Sequence, residues 1–226
     1  MSVLSHVEEI RARARQKIED GPVTQDYGLD KERAIGVLNE ALATEWVCVL
    51  RYKFHYFMAT GIHSSAVAEE FLEHAQEEQG HADRIAERIK QLGGKPQMNP
   101  AHLAQLSHSE YKEGGTLTEM IRENLVAERI AVESYREMVR FFGDGDPTSR
   151  VMMEEILANE EEHADDLADL LFAVETKSGE THRLYFQDEV PKTGSKDSAE
   201  KSKPEAARGA TKRRGDGKAD NARGQA

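Results

Sequence analysis

Four long segments of this chain carry apolar residues at steps of three and four, and a glutamate stands in the middle of each apolar seam. The first seam reads Leu38, Leu42, Glu45, Val49, Tyr52, Tyr56, and the second Phe71, His74, Glu78, His81, Ile85. The third reads Ile121, Leu125, Glu128, Val132, Tyr135, Val139, Phe142, and the fourth Met153, Ile156, Glu160, His163, Leu167, Leu170, Val174. Residues on such a seam face the interior of a helical bundle. The pattern predicts an all-α four-helix bundle in which every helix points one glutamate at the core and two helices add a histidine at the next seam position.

Punctuation in the sequence sets the helix ends. The first segment, residues 31–60, closes at Gly61, and the second, 64–92, stops at Gly93-Gly94 with Pro96 beyond. The third, 116–142, opens on Thr116 with Glu119 three residues on, the spacing of a capping box, and ends at Gly143. Asp146-Pro147 opens the fourth, which runs to about residue 175. The connection 93–115 is the longest of the three. An up-down-down-up bundle needs one such crossover, because two neighbouring helices then run parallel. The bundle domain is therefore 31–175, preceded by a helical N-terminal extension, 1–30, whose polarity suits a surface element or an intersubunit contact. A connection, 176–193, holds the best strand candidate, RLYFQDEV at 183–190. The stretch 194–226 has no Val, Ile, Leu, Met or aromatic residue. It has nothing to offset the entropy of ordering, so a disordered tail is expected there.

Charge divides the chain in the same place. The net charge is −12, yet residues 192–226 hold ten Lys/Arg against five Asp/Glu, which leaves the rest at −17. The acidic body attracts cations, and the basic tail suits polyanions. The single cysteine, Cys48, excludes an intrachain disulfide and reads as a small buried core residue. With no apolar run for a signal peptide or a membrane span, a cytoplasmic protein is expected.

The seam glutamates demand an explanation, because an isolated buried carboxylate is costly and four together repel. Two divalent cations neutralise four carboxylates. In Glu78-x-x-His81 and Glu160-x-x-His163 both side chains share a helix face and reach one metal pair. Carboxylate with imidazole suits iron or manganese, and no thiolate set is present. One Glu-x-x-His alone is weak among 42 acids and nine histidines. The joint pattern is specific: Glu45 precedes Glu78 by 33 residues, Glu128 precedes Glu160 by 32, and each half places a tyrosine seven residues after its first glutamate, Tyr52 and Tyr135. That internal repeat of a helix pair is the ligand arrangement of di-iron and di-manganese bundles. His74 reads as a hydrogen-bonded core histidine, with a transit ligand as the alternative. Glu73 and Glu77 read as surface acids near the site that can guide iron inward. His55, His63, His102, His108 and His182 read as solvated.

On LNEALATEWVCVLRY (38–52), EEQGHADRIAERI (77–89), LVAERIAVESYRE (125–137) and ILANEEEHADDLADLL (156–171), the chain resembles the bacterioferritin branch of the ferritin-like superfamily and the Dps-like proteins with a bacterioferritin-type site. The resemblance covers residues 31–175. It implies a ferritin-like fold and two iron ions per subunit, bridged by Glu78 and Glu160. Glu45 and His81 then complete one ion, and Glu128 and His163 the other. Tyr52 falls where the family has a tyrosine that can donate an electron, and a plain aromatic core role is the alternative. Gln79 stands where bacterioferritins have the haem-ligating methionine, so no haem is expected. The region after the fourth helix lacks the short fifth helix of 24-subunit shells, which favours a homo-oligomer of twelve over one of twenty-four.

The expected function is a ferroxidase: Fe2+ is oxidised with O2 or H2O2 at the paired site, for iron storage and oxidative-stress detoxification in an oligomeric cage. The alternatives are a rubrerythrin-like di-iron peroxidase or oxidase without storage, and a Dps-like protein that protects DNA through contacts of the tail, 195–226.

Overall fold

The computed structural model describes residues 6–61 and 64–177, and these form helices and connections only. In chain order the helices are α1 (Val7–Ala14), α2 (Lys31–Met58), α3 (Ser64–Gln91), α4 (Pro100–Leu106), α5 (Leu117–Phe142) and α6 (Pro147–Lys177), with a single 3-10 turn at Ile18–Asp20. The four long helices are the four seam segments, shifted at their ends by one or two residues.

Local chemistry sets the ends. Asp30 caps α2 by accepting from the Arg33 amide at 2.8 Å. Thr116 caps α5 by accepting from the Glu119 amide at 3.2 Å, while the Glu119 carboxylate reaches back to the Gly115 amide at 2.7 Å, one residue beyond the usual capping-box partner. The Asp146 carboxylate accepts from the Ser149 amide at 3.0 Å ahead of Pro147. After α3 the chain turns through Gly93 at φ +77°, a backbone conformation open to glycine at little cost.

α2 packs along α3, and α5 along α6; across the bundle α2 meets α5 and α3 meets α6. Side-chain pairing gives the directions. Glu45 meets Tyr135 and Tyr52 meets Glu128, so α2 and α5 are antiparallel; Arg84 meets Glu155 and Glu77 meets His163, so α3 and α6 are too. Every packed pair among the four long helices is antiparallel. The parallel pair that the crossover must join, α3 and α5, lies on the diagonal. The core is layered: one cluster around Leu38, Ile85, Tyr135 and Ile156 occupies one end, another around Tyr52, Phe71, Ile121 and Leu167 the other.

The crossover contains α4, a helix not predicted above. Leu103 of α4 packs on Ala43 and Val47 of α2, and the strap is pinned along α2 by polar bonds. The Gln97 amide donates to Asn39 Oδ1 at 2.7 Å, the His108 amide to Thr44 Oγ1 at 3.0 Å, and Arg51 to Ser109 Oγ at 3.0 Å. The strap also overturns one reading. His55 is not solvated but fully buried, with Nε2 at 2.8 Å from the Glu113 carbonyl and Nδ1 at 3.0 Å from the Asn124 amide nitrogen. Burial keeps its pKa below the usual imidazole value. His102 is exposed, His108 lies partly exposed beside Glu40, and His63 and His182 lie outside the described residues.

In the N-terminal extension α1 buries no residue, whereas Val23, Tyr27 and Leu29 pack on the core. Gly28 lies against Gly145 in the α5–α6 turn, where a Cβ would come within 2.8 Å of the Gly145 Cα. The strand candidate 183–190 and the tail 194–226 lie outside the described residues. Among the described residues no helix is long and apolar enough to cross a membrane.

Candidate metal centre

The four seam glutamates and two seam histidines converge midway along the bundle. Glu45 comes from α2, Glu78 and His81 from α3, Glu128 from α5, and Glu160 and His163 from α6. None is more than 4 % exposed. They fall into two groups, Glu45, Glu78, His81, Glu160 and Glu78, Glu128, Glu160, His163; within each, one ligand atom per residue lies within 4.8 Å of the others. Glu78 and Glu160 belong to both.

The distances within the first group show a shared focus. His81 Nδ1 faces Glu160 Oε1 at 3.1 Å, Glu78 Oε2 at 3.3 Å and Glu45 Oε2 at 3.4 Å. One ring nitrogen carries at most one proton, so it cannot satisfy three carboxylates by hydrogen bonding. In the second group His163 Nδ1 lies 3.7 Å from Glu78 Oε1 and 4.0 Å from Glu128 Oε2. Six buried side-chain atoms without a hydrogen-bond partner among the described residues gather at this one place: Glu45 Oε2, Glu78 Oε1, Glu128 Oε2, both Glu160 oxygens and His163 Nδ1. Leaving such groups unpaired is costly, and their donor set, carboxylate oxygen with imidazole nitrogen, fits a pair of divalent cations such as iron or manganese. Cys48 adds no thiolate: it is buried, burial raises its pKa well above the usual thiol value, and its sulfur lies 3.4 Å from Arg51 Nη2.

Burial and mutual repulsion pull the titration of these groups apart. Burial raises the pKa of Glu45, Glu128 and Glu160, and the charge of Glu78 raises them further. Glu78 goes the other way: burial opposes its charge, but the polar groups of Glu45, His163 and His81 around it win and hold it well below the usual carboxylate value. Burial also opposes charge on the histidines. Glu160, Glu45 and Glu78 nevertheless raise His81, and Glu78 and Glu128 lift His163 to about 9.

Outside the six, three further groups hold the ligands in place. The Tyr52 hydroxyl donates a short hydrogen bond to Glu128 Oε1, and Tyr135 donates one to Glu45 Oε1. Each half-repeat thus holds the first glutamate of the other half. His163 Nε2 sits 2.7 Å from Glu77 Oε2, a bond that keeps a proton on Nε2 and turns the Nδ1 lone pair inward. Glu77, read from the sequence only as a nearby acid, is therefore an orienting partner. Its place one residue before Glu78, opposite the α6 histidine, was the available signal. His74 is 2 % exposed, stacks on His163 with ring centroids 4.1 Å apart, and places Nδ1 3.2 Å from the Tyr52 hydroxyl. Burial and the neighbouring His163 push its pKa down to about 3. Gln79 is exposed.

The ferritin-like domain family matches residues 35–176. A nutrient stress-induced DNA-binding protein of Nostoc sp. is 30 % identical over 158 residues, which is 69 % of this chain and 85 % of that protein. The bacterioferritin of Rhodobacter capsulatus is 31 % identical over 134 residues, 59 % of this chain and 79 % of its own. Among solved structures, the bacterioferritin-related protein of Bacteroides fragilis, a dodecameric thioferritin, superposes with a TM-score of 0.65 at 33 % identity, covering 67 % of this chain and 92 % of that one.

Proposed function

Because the chain belongs to the ferritin-like family, we propose that it is a ferroxidase: it takes two Fe2+ as substrate at the buried centre and oxidises them with O2 or H2O2. The observation that carries this reading is the pair of four-residue groups sharing Glu78 and Glu160. In this reading Glu78 and Glu160 bridge the two ions, Glu45 and His81 complete one, and Glu128 and His163 the other. The bound Fe2+ supplies the electrons; the chain supplies position, charge and proton traffic. Tyr135 and Tyr52 hold the outer carboxylates, Glu77 holds the His163 tautomer, and the protons shared among Glu45, Glu128 and Glu160 leave as cations enter. Tyr52 and Tyr135 each hold a carboxylate, and Tyr52, which also touches His74, keeps the electron-donating role that the resemblance gives it as part of this reading.

Likeness to a dodecameric thioferritin supports a homo-oligomer of twelve that stores the oxidised iron, and Gln79, which has no thioether to ligate haem iron, supports a protein without haem. The domain division follows: a bundle at 31–175 between an N-terminal extension and a basic tail. Stopped-flow oxidation of Fe2+ tests the centre. Glu78→Ala and Glu160→Ala each remove a shared ligand. Loss of an outer partner alone commonly costs 10–100-fold, so the rate is expected to fall by at least about 100-fold. Wild-type rates in either variant would sink the assignment.

A second reading rests on the basic tail and on the DNA-binding Nostoc relative. Contacts of residues 195–226 with phosphates would add through the many copies in a cage. Gel shifts of the full chain and of a chain ending at Thr193 decide it: only the full chain is expected to bind, less tightly as salt rises.

A further inference from the structure

His74 is the one seam histidine that the paired centre does not use, and its surroundings are unlike those of a satisfied core histidine. The Tyr52 hydroxyl has a single proton, which it donates to Glu128. Its contact with His74 Nδ1 at 3.2 Å therefore requires Nδ1 to be the donor. With Nδ1 turned to Tyr52, Nε2 faces Glu70 Oε1 at 3.3 Å and Asp166 Oδ2 at 3.9 Å. One ring nitrogen and two carboxylate oxygens thus converge from α3 and α6. The three ligand atoms lie within 4.8 Å of one another. Nitrogen and oxygen ligands bound at about 2.0–2.2 Å in a tetrahedron lie about 3.4 Å apart, close to the His74–Glu70 separation.

We propose that Glu70, His74 and Asp166 form a third, mononuclear site for a divalent cation, separate from the paired centre and adjoining it through the stacked rings of His74 and His163. None of the six residues of the centre belongs to it. The Glu70 and Asp166 side chains are 30 % and 49 % exposed, whereas His74 is buried, so the site opens to solvent on the α3–α6 side while its nitrogen ligand is fixed from within. Glu73 and Glu77 add negative charge around Glu70. Two carboxylates and one imidazole, with the remaining positions open to water, suit Fe2+, Mn2+ or Zn2+.

Zn2+ tests this on the full chain, by equilibrium dialysis and by anomalous scattering from soaked crystals. The wild type is expected to hold three ions per chain, with one peak in bonding range of His74 Nε2. The Glu70→Gln/Asp166→Asn variant should lose that peak and one ion. The Glu78→Ala/Glu160→Ala variant should keep the peak while losing the other two. The proposal is overturned if no density appears at His74 Nε2 in the wild type, or if the Glu70→Gln/Asp166→Asn variant binds as many ions as the wild type. It is equally overturned if the peak vanishes with Glu78 and Glu160, for it would then belong to the paired centre. A filled His74 site beside an empty centre would stand against the ferroxidase reading and leave this one intact.

Discussion

Two buried polar clusters sit in the same bundle and are built on opposite rules. At one end Arg88 of α3 meets Asp146 at the start of α6. Its Nη2 donates to both carboxylate oxygens at 2.7 and 3.0 Å and its Nε donates to Ser149 at 2.8 Å. Ser149 donates back to Asp146 at 2.6 Å through its hydroxyl, and Tyr27 of the N-terminal extension adds a bond at 2.9 Å. Acid, base and hydroxyls close on themselves. Midway along, four glutamates and two histidines are as deeply buried yet leave carboxylate oxygens and a ring nitrogen without partners. A cluster that satisfies itself fastens the fold. One that does not is shaped for something that arrives from outside.

The largest expected effect comes from supplying the missing partner. If the centre is a cation site, Mn2+ or Zn2+ at about a thousandfold its dissociation constant should stabilise the folded chain by about 4 kcal/mol per site, read as a higher melting temperature in calorimetry. An unchanged melting temperature would erase the contrast between the clusters. Next comes the self-satisfied cluster: Asp146→Ala leaves Arg88 buried without its partner and should cost about 3 kcal/mol in chemical denaturation, with or without metal. The same kind of change in the centre should be mild when no metal is present. Burial and the charge of Glu78 favour the neutral acid at Glu160, and Glu160→Gln puts a neutral amide of the same shape in its place, so the metal-free protein should shift by less than about 1 kcal/mol. A loss as large as that of Asp146→Ala would mean that the centre is a structural lock after all.

Acid gives the finest comparison. Burial opposes charge on Asp146, but Ser149, Arg88 and Tyr27 keep its pKa below the usual aspartate value. Its contribution is present above the unfolded pKa, about 3.9, and is lost as pH falls through the folded value. Glu45, Glu128 and Glu160 are raised instead and lose nothing of that kind in acid. The metal-free wild type should therefore lose more stability than Asp146→Asn between pH 5 and 2, as read by melting temperature across that range. Parallel curves would show that Asp146 is not the group responsible.

The contrast also explains what was readable in the sequence. The centre repeats on four seams at helical spacing, and each of its residues announces itself by breaking an apolar run. Glu45, Glu78, His81, Glu128, Glu160 and His163 were therefore legible, together with the four helices that carry them. The Arg88–Asp146 cluster joins residues 58 apart in the chain that obey no common period. Charged residues of that kind are usually solvated. The same holds for His55, whose burial depends on where the crossover lies, and for α4, whose seven residues are too few to show a period. Glu77 and the crossed pairing of Tyr52 with Glu128 needed the antiparallel register of α2 on α5 and α3 on α6, which only packing decides.

The duplicated helix pair has one further consequence. Laid on each other so that Glu78 meets Glu160 and His81 meets His163, the two halves agree at the ligands and at Tyr52 and Tyr135, then part company one turn away. His74 falls on Ile156, Glu70 on Met152, and Asp166 on Arg84, which is paired with Glu155. One flank of the centre is lined by imidazole and carboxylate, the other by hydrocarbon and a guanidinium. Two cations taken up under the proposed function would thus meet unequal surroundings, with imidazole and carboxylate beside one and hydrocarbon and a paired guanidinium beside the other. Under the proposed function cations would fill the centre in order, from the flank that carries the imidazole and the carboxylates, so the twofold plan of the helices yields a centre with a front and a back.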